Sequence, residues 1–294
     1  MASHLKTVIS ASRRTDIPAF YMDWFMESIR NGYFEVVNPY SRKTFHVDAS
    51  VDAVHTIVFW SKNFNLFLKG GYGEALLEQG YKLFFNFTVN SFNMDLEPNV
   101  PRLSDRVDQM KELCSRFNPK TVQWRFDPIC FYKDADGHAG HNLDDFENIA
   151  ETAGLCGIER CVTSFVDLYR KVVKRSERAK GVYLFDPPIE KKIDILLEME
   201  KMLNERSISL FTCCEKEVLD KLPLESTVSR SACIPNDYLA RLYGGKVSMA
   251  KDRGQRMAAG CGCYQSSDVG SYSLHPCFHN CVFCYANPAA LENS

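Results

Sequence analysis

Three cysteines near the end of the chain constrain its fold and chemistry more than any other feature. The segment reads Cys277-Phe-His-Asn-Cys281-Val-Phe-Cys284, so the spacing is C-x3-C-x2-C. A loop this short can wrap three thiolates around one face of a cubane iron–sulfur cluster, which needs four ligands in all. Three local thiolates leave one iron open to another protein ligand or to a bound molecule. We therefore expect the rest of the chain to hold and serve a metal centre.

A second group of cysteines precedes the triplet. Four thiolates are enough for a second, fully ligated cluster, which would transfer electrons or stabilise the fold. Cys214 is an alternative to Cys213, but alternation along a strand turns only one of the two to a given side, and we prefer Cys213. The predicted ligands of this second centre are Cys213, Cys233, Cys261 and Cys263.

Zinc is the alternative metal for both groups. Four cysteines commonly form a tetrahedral zinc site, which suits the second group. The triplet could also take zinc, with His275 or His279 as the fourth ligand. Its asymmetric spacing favours an iron–sulfur cluster, because paired C-x2-C spacing is more typical of zinc sites.

Composition excludes several classes of protein. Apolar residues make up 45% and charged residues 24% of the 294, which is ordinary for a globular protein. The net charge of −2 argues against nucleic acid or an anionic membrane as a partner. No apolar run approaches the roughly 18 residues of a membrane span, and the start of the chain lacks a signal peptide. We therefore expect a cytoplasmic protein, in which clustered cysteines bind metal more often than they form disulfides.

Six predicted strands alternate with helical segments, a pattern that indicates a parallel α/β fold. The turn after the first strand, residues 12–16, contains no glycine, which disfavours a Rossmann-type phosphate turn. We predict a TIM-like partial barrel of about six parallel strands over residues 1–214. A cysteine-rich cluster-binding region, residues 215–294, is expected to pack over the barrel mouth.

Polar residues gather where the predicted strands end, and barrel enzymes build their active sites there. Arg125 and Asp127 share one face of their strand, and buried charges are costly unless they are paired or solvated. Contact with substrate or cofactor is the favoured interpretation of this pair, and a structural ion pair is the alternative. The cations predict an anionic small-molecule substrate or a cofactor carboxylate. The predicted catalytic residues are Arg13, Arg14, Asp16, Lys62, Arg125 and Asp127, and the strand-end residues predicted to bind cofactor are Asn63, Thr88 and Asn90.

The segment from Cys277 to Ala286 resembles the C-x3-C-x-aromatic-C signature of radical S-adenosylmethionine enzymes, and most closely their spore photoproduct lyase-like branch. That resemblance implies a six-strand partial barrel and an oxygen-sensitive [4Fe-4S] cluster whose open iron binds S-adenosylmethionine. It also implies one-electron reduction by a donor such as ferredoxin or flavodoxin, which releases a 5′-deoxyadenosyl radical that abstracts hydrogen from the substrate.

The position of the triplet differs from that superfamily, which places it after the first strand rather than the sixth. In this respect the chain resembles an uncharacterised bacterial family with the triplet at its C-terminus. The matching stretches are residues 10–20, 59–63, 124–128 and 254–256. This second resemblance covers nearly the whole chain and implies a fold and a cluster, but no reaction. Gln255 and Arg256, in the last stretch, are expected to contact the cofactor.

Two further hypotheses stay open at this point. The first is an iron–sulfur enzyme that binds its substrate directly at the open iron, without S-adenosylmethionine. The second is a zinc or iron–sulfur module that senses redox state or associates with nucleic acid, against which the neutral net charge argues.

Overall fold

A computed structural model of the chain describes residues 5–38, 41 and 43–286. Its strands in this part of the chain are β1 (Thr7–Ala11), β2 (Tyr33–Val37), β3 (Thr44–Asp48), β4 (Val54–Ser61), β5 (Leu83–Thr88), β6 (Val122–Ile129), β7 (Phe131–Lys133), β8 (Ala139–His141), β9 (Arg160–Phe165), β10 (Tyr183–Phe185), β11 (Ser209–Thr212), β12 (Ser229–Arg230) and β13 (Ser267–Asp268).

The helices cover most of the connections between these strands. They are α1 (Ile17–Phe20), α2 (Met22–Asn31), α3 (Asn65–Lys69), α4 (Tyr72–Glu78), α5 (Leu103–Arg116), α6 (Phe146–Leu155), α7 (Arg170–Lys180), α8 (Ile189–Asn204), α9 (Lys216–Leu219) and α10 (Asn236–Tyr243), with a short 3₁₀ helix at Pro119–Thr121. None of the described helices is long and apolar enough to cross a membrane.

An eight-stranded parallel sheet forms the centre of this mixed α/β fold. Its order is β12-β11-β9-β6-β5-β4-β1-β13, and every neighbouring pair runs parallel. The six inner strands stand in chain order, which is the arrangement that alternating strands and helices produce. Within the described residues no pairing joins β12 to β13, so the sheet is not closed into a ring.

The cysteine-rich part of the chain extends this sheet at both edges. Strand β12 lies beside β11, and β13 lies beside β1, with Ile9 opposite Ser267 and Ser10 opposite Asp268. Residues after 214 are therefore tied to both ends of the strand order. This double attachment brings the cysteines of that region back to the carboxyl ends of the inner strands.

Two small antiparallel sheets are inserted between the main strands. Strands β2 and β3 pair as an antiparallel hairpin, and residues 39, 40 and 42 between them lie outside the described residues. Strands β10, β7 and β8 form a second, three-stranded sheet. Neither insertion interrupts the order of the six inner strands.

Aromatic side chains fill the space between the large sheet and its helices. Phe59 and Phe85, on neighbouring strands, stack with ring centroids 6.1 Å apart. Phe67 from α3 meets both of them edge-on, at 5.0 and 5.6 Å. Offset and edge-to-face contacts add to the large apolar area that these rings bury, so they hold the strand ends in fixed positions.

Candidate functional site

A cavity of about 270 Å³ opens where the inner strands end. Every inner strand contributes to the cavity wall, through residues at its carboxyl end or just after it. The second part of the wall comes from the C-terminal region and contains all eight cysteines after residue 212. These are Cys213, Cys214, Cys233, Cys261, Cys263, Cys277, Cys281 and Cys284.

Three neighbouring residues, Tyr21, Asn99 and Leu96, hold the triplet loop by hydrogen bonds. Tyr21 donates its hydroxyl to the carbonyl of Pro276 at 2.5 Å, and Asn99 donates its side-chain amide to the carbonyl of Phe278 at 2.8 Å. The amide of Val282 donates to the carbonyl of Leu96 at 3.0 Å. The triplet loop is therefore held in a defined position at the cavity wall.

His279, inside the triplet loop, is bound to Asp16 at the end of β1. Its Nε2 donates to Asp16 Oδ2 at 2.8 Å, and the same carboxylate oxygen accepts from the amide of Lys62. The other oxygen of Asp16 accepts from the amide of Ala19 and so caps α1. The predicted catalytic Asp16 thus fastens three segments at the cavity wall.

The two histidines offered as zinc ligands are already engaged. His279 lies with Nδ1 at 3.4 Å from the carbonyl of Asn99, in addition to its bond to Asp16. His275 accepts from the amide of Ser271 and packs against Trp24 with ring centroids 4.1 Å apart. Because both of its ring nitrogens are engaged, His279 is disfavoured as the fourth ligand of the triplet.

Burial raises the pKa of two of the triplet thiols, Cys277 and Cys281. It raises the pKa of Cys277 to about 12, with the nearby Asp16 acting in the same direction. It also raises the pKa of Cys281 well above its ordinary value, although the neighbouring Lys62 opposes the shift. A metal ion or cluster that binds here must displace these protons, since the thiolate is the ligand form.

The second group contains five thiols in a closed ring, rather than four. Cys213 Sγ lies 3.5 Å from Cys233 Sγ and 3.8 Å from Cys214 Sγ. Cys263 neighbours Cys233, Cys261 neighbours Cys263, and Cys214 neighbours Cys261, close enough to influence one another's pKa. The four predicted ligands are therefore together, and a fifth thiol completes their ring.

Cys214 joins this ring because the chain leaves the strand before it. Strand β11 ends at Thr212, and Cys214 has a left-handed φ of 64°, which L-residues rarely adopt. The alternation rule that favoured Cys213 alone therefore does not apply to this pair. The pKa of Cys214 is lowered to about 4, mainly because Cys213 hydrogen-bonds to it, with Cys261 and the charge of Arg256 contributing.

The predicted catalytic cations all reach the cavity wall, and carboxylates accompany them. Arg13 lies 3.3 Å from Asp252 and 3.7 Å from Asp268. Lys62 Nζ lies 2.5 Å from Glu97 Oε1. Arg125 pairs with Asp127, as the structural interpretation of these two residues predicts, and Arg256 pairs with Asp167.

Arg14 has the longest ion-pair distance of these cations. Its Nη1 donates to the carbonyl of Gly270 at 2.9 Å, and its Nε lies 3.8 Å from Asp268, which Arg13 shares. The side chain is half-buried at the cavity wall. Arg14 therefore keeps the most capacity to bind an anion.

Three of the five residues predicted to bind cofactor line the cavity, namely Thr88, Gln255 and Arg256. Asn63 and Asn90 are not among its lining residues. Asn63 accepts from the amide of Asn65 and from the side chain of Gln109. Asn90 accepts from the amide of Asp127 and donates to Glu97. Both amides fix the loops behind the cavity, because the strands end before them.

Two cavity residues that sequence reasoning missed carry polar groups without a partner. Thr15 and Trp60 line the cavity, and neither Thr15 Oγ1 nor Trp60 Nε1 has a hydrogen-bond partner in the described part of the chain. Buried polar groups are normally satisfied, so these two are available to a bound molecule.

Comparison with known proteins identifies a family but no activity. No curated protein matches the chain. The model of a domain of unknown function, DUF1848, matches residues 8–286, which include β1, the inner strands and both cysteine groups. The chain, with its sheet and its cysteine-lined cavity, therefore belongs to the DUF1848 family.

Proposed function

We propose that this protein is an iron–sulfur enzyme of the radical S-adenosylmethionine type. The observation that carries the proposal is the shared cavity, where the C-x3-C-x2-C thiols meet cations and unpartnered polar groups at the strand ends. In this proposal Cys277, Cys281 and Cys284 ligate three irons of a [4Fe-4S] cluster. The fourth iron of such a cluster would have no cysteine ligand from the triplet and could bind a molecule.

The spacing of the triplet thiols supports a cluster over a single zinc ion. A tetrahedral zinc ion with sulfur ligands at about 2.3 Å brings every pair of thiolates to within about 4 Å. Among the described residues, no three of the cysteine sulfurs lie within 4.8 Å of one another. A cluster binds each thiolate through a different iron and so tolerates wider separations.

The chain offers residues for S-adenosylmethionine beside the triplet. When bound, an open-iron cluster would supply one electron to S-adenosylmethionine and release a 5′-deoxyadenosyl radical. Thr88 and Gln255 present polar groups at the cavity wall, and Thr15 Oγ1 is a further unpartnered group there. We assign these three residues and Arg256 to cofactor binding.

A second cluster is proposed at Cys213, Cys233, Cys261 and Cys263. These thiols are buried and line the same cavity as the triplet. A cluster there would lie within reach of the same bound molecule. Zinc at this site is the alternative that metal analysis would reveal.

The substrate is proposed to be a small anionic molecule. Arg14 is the cation with the most remaining capacity, and it lies at the cavity wall beside Arg13. An arginine can bind a carboxylate or phosphate through two parallel hydrogen bonds. The carboxylates that pair with Arg13, Lys62, Arg125 and Arg256 hold those cations in place.

Three further features belong to the same proposal. The six inner strands would curve into a partial barrel with the cysteine region over its mouth, which fits their sequential order. The enzyme would work in the cytoplasm, where thiols stay reduced. It would receive electrons from a donor such as ferredoxin or flavodoxin, and nucleic acid would not be its partner.

The test is anaerobic reconstitution of the full chain with iron, sulfide and a reductant, followed by S-adenosylmethionine. We expect about eight irons per chain and formation of 5′-deoxyadenosine, which Cys281→Ser abolishes and Cys156→Ser leaves unchanged. Cys156 is half-buried and lies outside both cysteine groups. An intact cluster that forms no 5′-deoxyadenosine would contradict the proposal.

Other outcomes of the same measurement point to the alternatives. A cluster whose spectrum responds to a metabolite but not to S-adenosylmethionine would favour an enzyme that binds substrate directly at the open iron. A colourless protein that holds only zinc would favour a non-enzymatic redox or nucleic-acid-associated module.

A further inference from the structure

Arg125 is bound to a thiol of the second cysteine group. Its Nη1 donates to Cys233 Sγ at 3.1 Å, and the side chain is only 4% exposed. Cys233 is one of the four proposed ligands of the second cluster. The contact therefore places a buried positive charge and a hydrogen-bond donor directly on a ligand sulfur.

The remaining contacts of Arg125 leave it little freedom to bind substrate. Its Nη2 donates to Asp127 Oδ2, and Ser164 donates to the other oxygen of the same carboxylate. The amide of Asp127 in turn donates to Asn90 Oδ1 at 2.8 Å. Trp60 covers the guanidinium, whose central carbon lies 5.3 Å from the ring centroid. Asp127 and Trp60 thus hold the guanidinium against Cys233.

A hydrogen-bond donor and a positive charge beside a ligand sulfur change the relative stability of the oxidised and reduced forms of a cluster. One-electron reduction makes a cluster more negative by one unit, so both contributions stabilise the reduced form more than the oxidised form. Hydrogen bonds to the sulfurs are one of the factors that set the reduction potential of such clusters. Burial strengthens the interaction, because little water screens it.

We propose that the second centre is a one-electron redox centre and that Arg125 raises its reduction potential. This inference rests on the proposed function, since it needs a cluster at the second cysteine group. In the reduction step a low-potential one-electron donor converts one ferric iron to ferrous iron, and no covalent bond forms or breaks. Arg125 is a positioning residue here and does not touch the substrate.

The experiment is a reductive titration of the anaerobically reconstituted full chain with titanium(III) citrate, followed by electron paramagnetic resonance. Arg125→Lys keeps the positive charge but loses the two separate nitrogens that donate to Cys233 and to Asp127. The double variant Arg125→Gln with Asp127→Asn removes both charges and avoids an unpaired buried carboxylate. We expect the second centre to titrate at a more negative potential in both variants, with the larger shift in the double variant.

A matched control is Arg160→Gln, on the neighbouring strand β9. Arg160 donates to Gln123 and packs on the ring of Phe211, and within the described residues its side chain has no hydrogen bond to a cysteine. In Arg160→Gln, the reduction potentials of the triplet cluster and of the second centre should equal those of the wild-type protein. A control shift as large as that of the Arg125 variants would overturn the inference, because general loosening of the sheet would then explain both.

Iron content and reduction potentials together separate a failure of the inference from a failure of the proposed function. About eight irons per chain with unchanged potentials in the Arg125 variants would overturn the inference and leave the proposed function intact. Zinc or no metal at the second cysteine group of the wild-type protein would overturn the inference together with the second cluster. The triplet signal, read separately in the double variant, shows whether the protein is still folded.

Discussion

Asp16 Oδ2 and His279 Nε2 lie 2.8 Å apart in a buried pair that joins the end of β1 to the cysteine triplet. His279 is 2% exposed and stands between the first two cysteines of the loop. Outer residues that orient a metal ligand typically change metal affinity by about 10–100-fold when they are lost. We therefore expect His279→Phe to speed the loss of iron from the triplet to a chelator by about tenfold or more.

The measurement is the rate at which a ferrous chelator removes iron from the reconstituted protein under anaerobic conditions. His46→Phe is the control, since His46 lies on the exposed strand β3, far from the triplet in the sequence. Equal rates in wild type and His279→Phe would show that the loop holds its position without the bond to Asp16.

Cys213 and Cys214 are expected to replace each other as ligands. Their sulfurs lie 3.8 Å apart in the same ring, so a cluster can reach either one with a small shift. Each single change to serine should keep about eight irons per chain, and the double change should reduce the count to about four. Iron and sulfide analysis measures this directly. Loss of about four irons in Cys213→Ser alone would show that Cys214 cannot serve.

Much of the fold could be read from the sequence, because strand and helix signals alternate along most of the chain. The aromatic run at Leu83–Thr88 and the run at Val122–Ile129 are strands in that order in the sheet. The edge strands could not be predicted, since β12 and β13 have two residues each and carry no periodic pattern. Their positions depend on pairing with distant strands rather than on local preference.

The candidate site was predictable where a residue type alone implies its chemistry. Cysteines and strand-end cations were found in this way, and they lie together at one cavity. Asp268 was missed, although it accepts from Ser10 Oγ at 2.9 Å and from the amide of Arg13 at 2.8 Å. Its partners are more than 250 residues away in the sequence. Such a contact follows from the sheet order and has no local signal.

His55 makes stability depend on pH. Burial lowers the pKa of His55 below 6.5. The hydrogen bond to the carbonyl of Gly244 opposes this shift, and the charges of Lys82 and Lys6 add to it. The unfolded chain then binds a proton more readily than the folded protein as pH falls below about 6.5. The free energy of unfolding should therefore decrease with falling pH in this range, by at most about 1.4 kcal/mol per pH unit from this group.

Urea unfolding at several pH values between 5 and 8 tests the role of His55. His55→Gln should flatten the acid side of the profile relative to wild type, whereas the exposed His46→Gln should not. Parallel profiles for wild type and His55→Gln would assign the pH dependence to other groups.

Lys62 and Glu97 form a buried ion pair beside the triplet, with Nζ and Oε1 2.5 Å apart. Glu97 is 3% exposed, and Asn90 donates to the same oxygen. Removing one charge leaves the other buried without compensation, which typically costs about 3–5 kcal/mol. Glu97→Gln should therefore lower the free energy of unfolding by about that amount.

The double variant Lys62→Met with Glu97→Leu should cost much less, because apolar residues of similar size can replace a buried pair. Denaturant unfolding of the three proteins decides this, and a double variant as unstable as Glu97→Gln would mean that packing around the pair, rather than its charge balance, holds this part of the cavity wall.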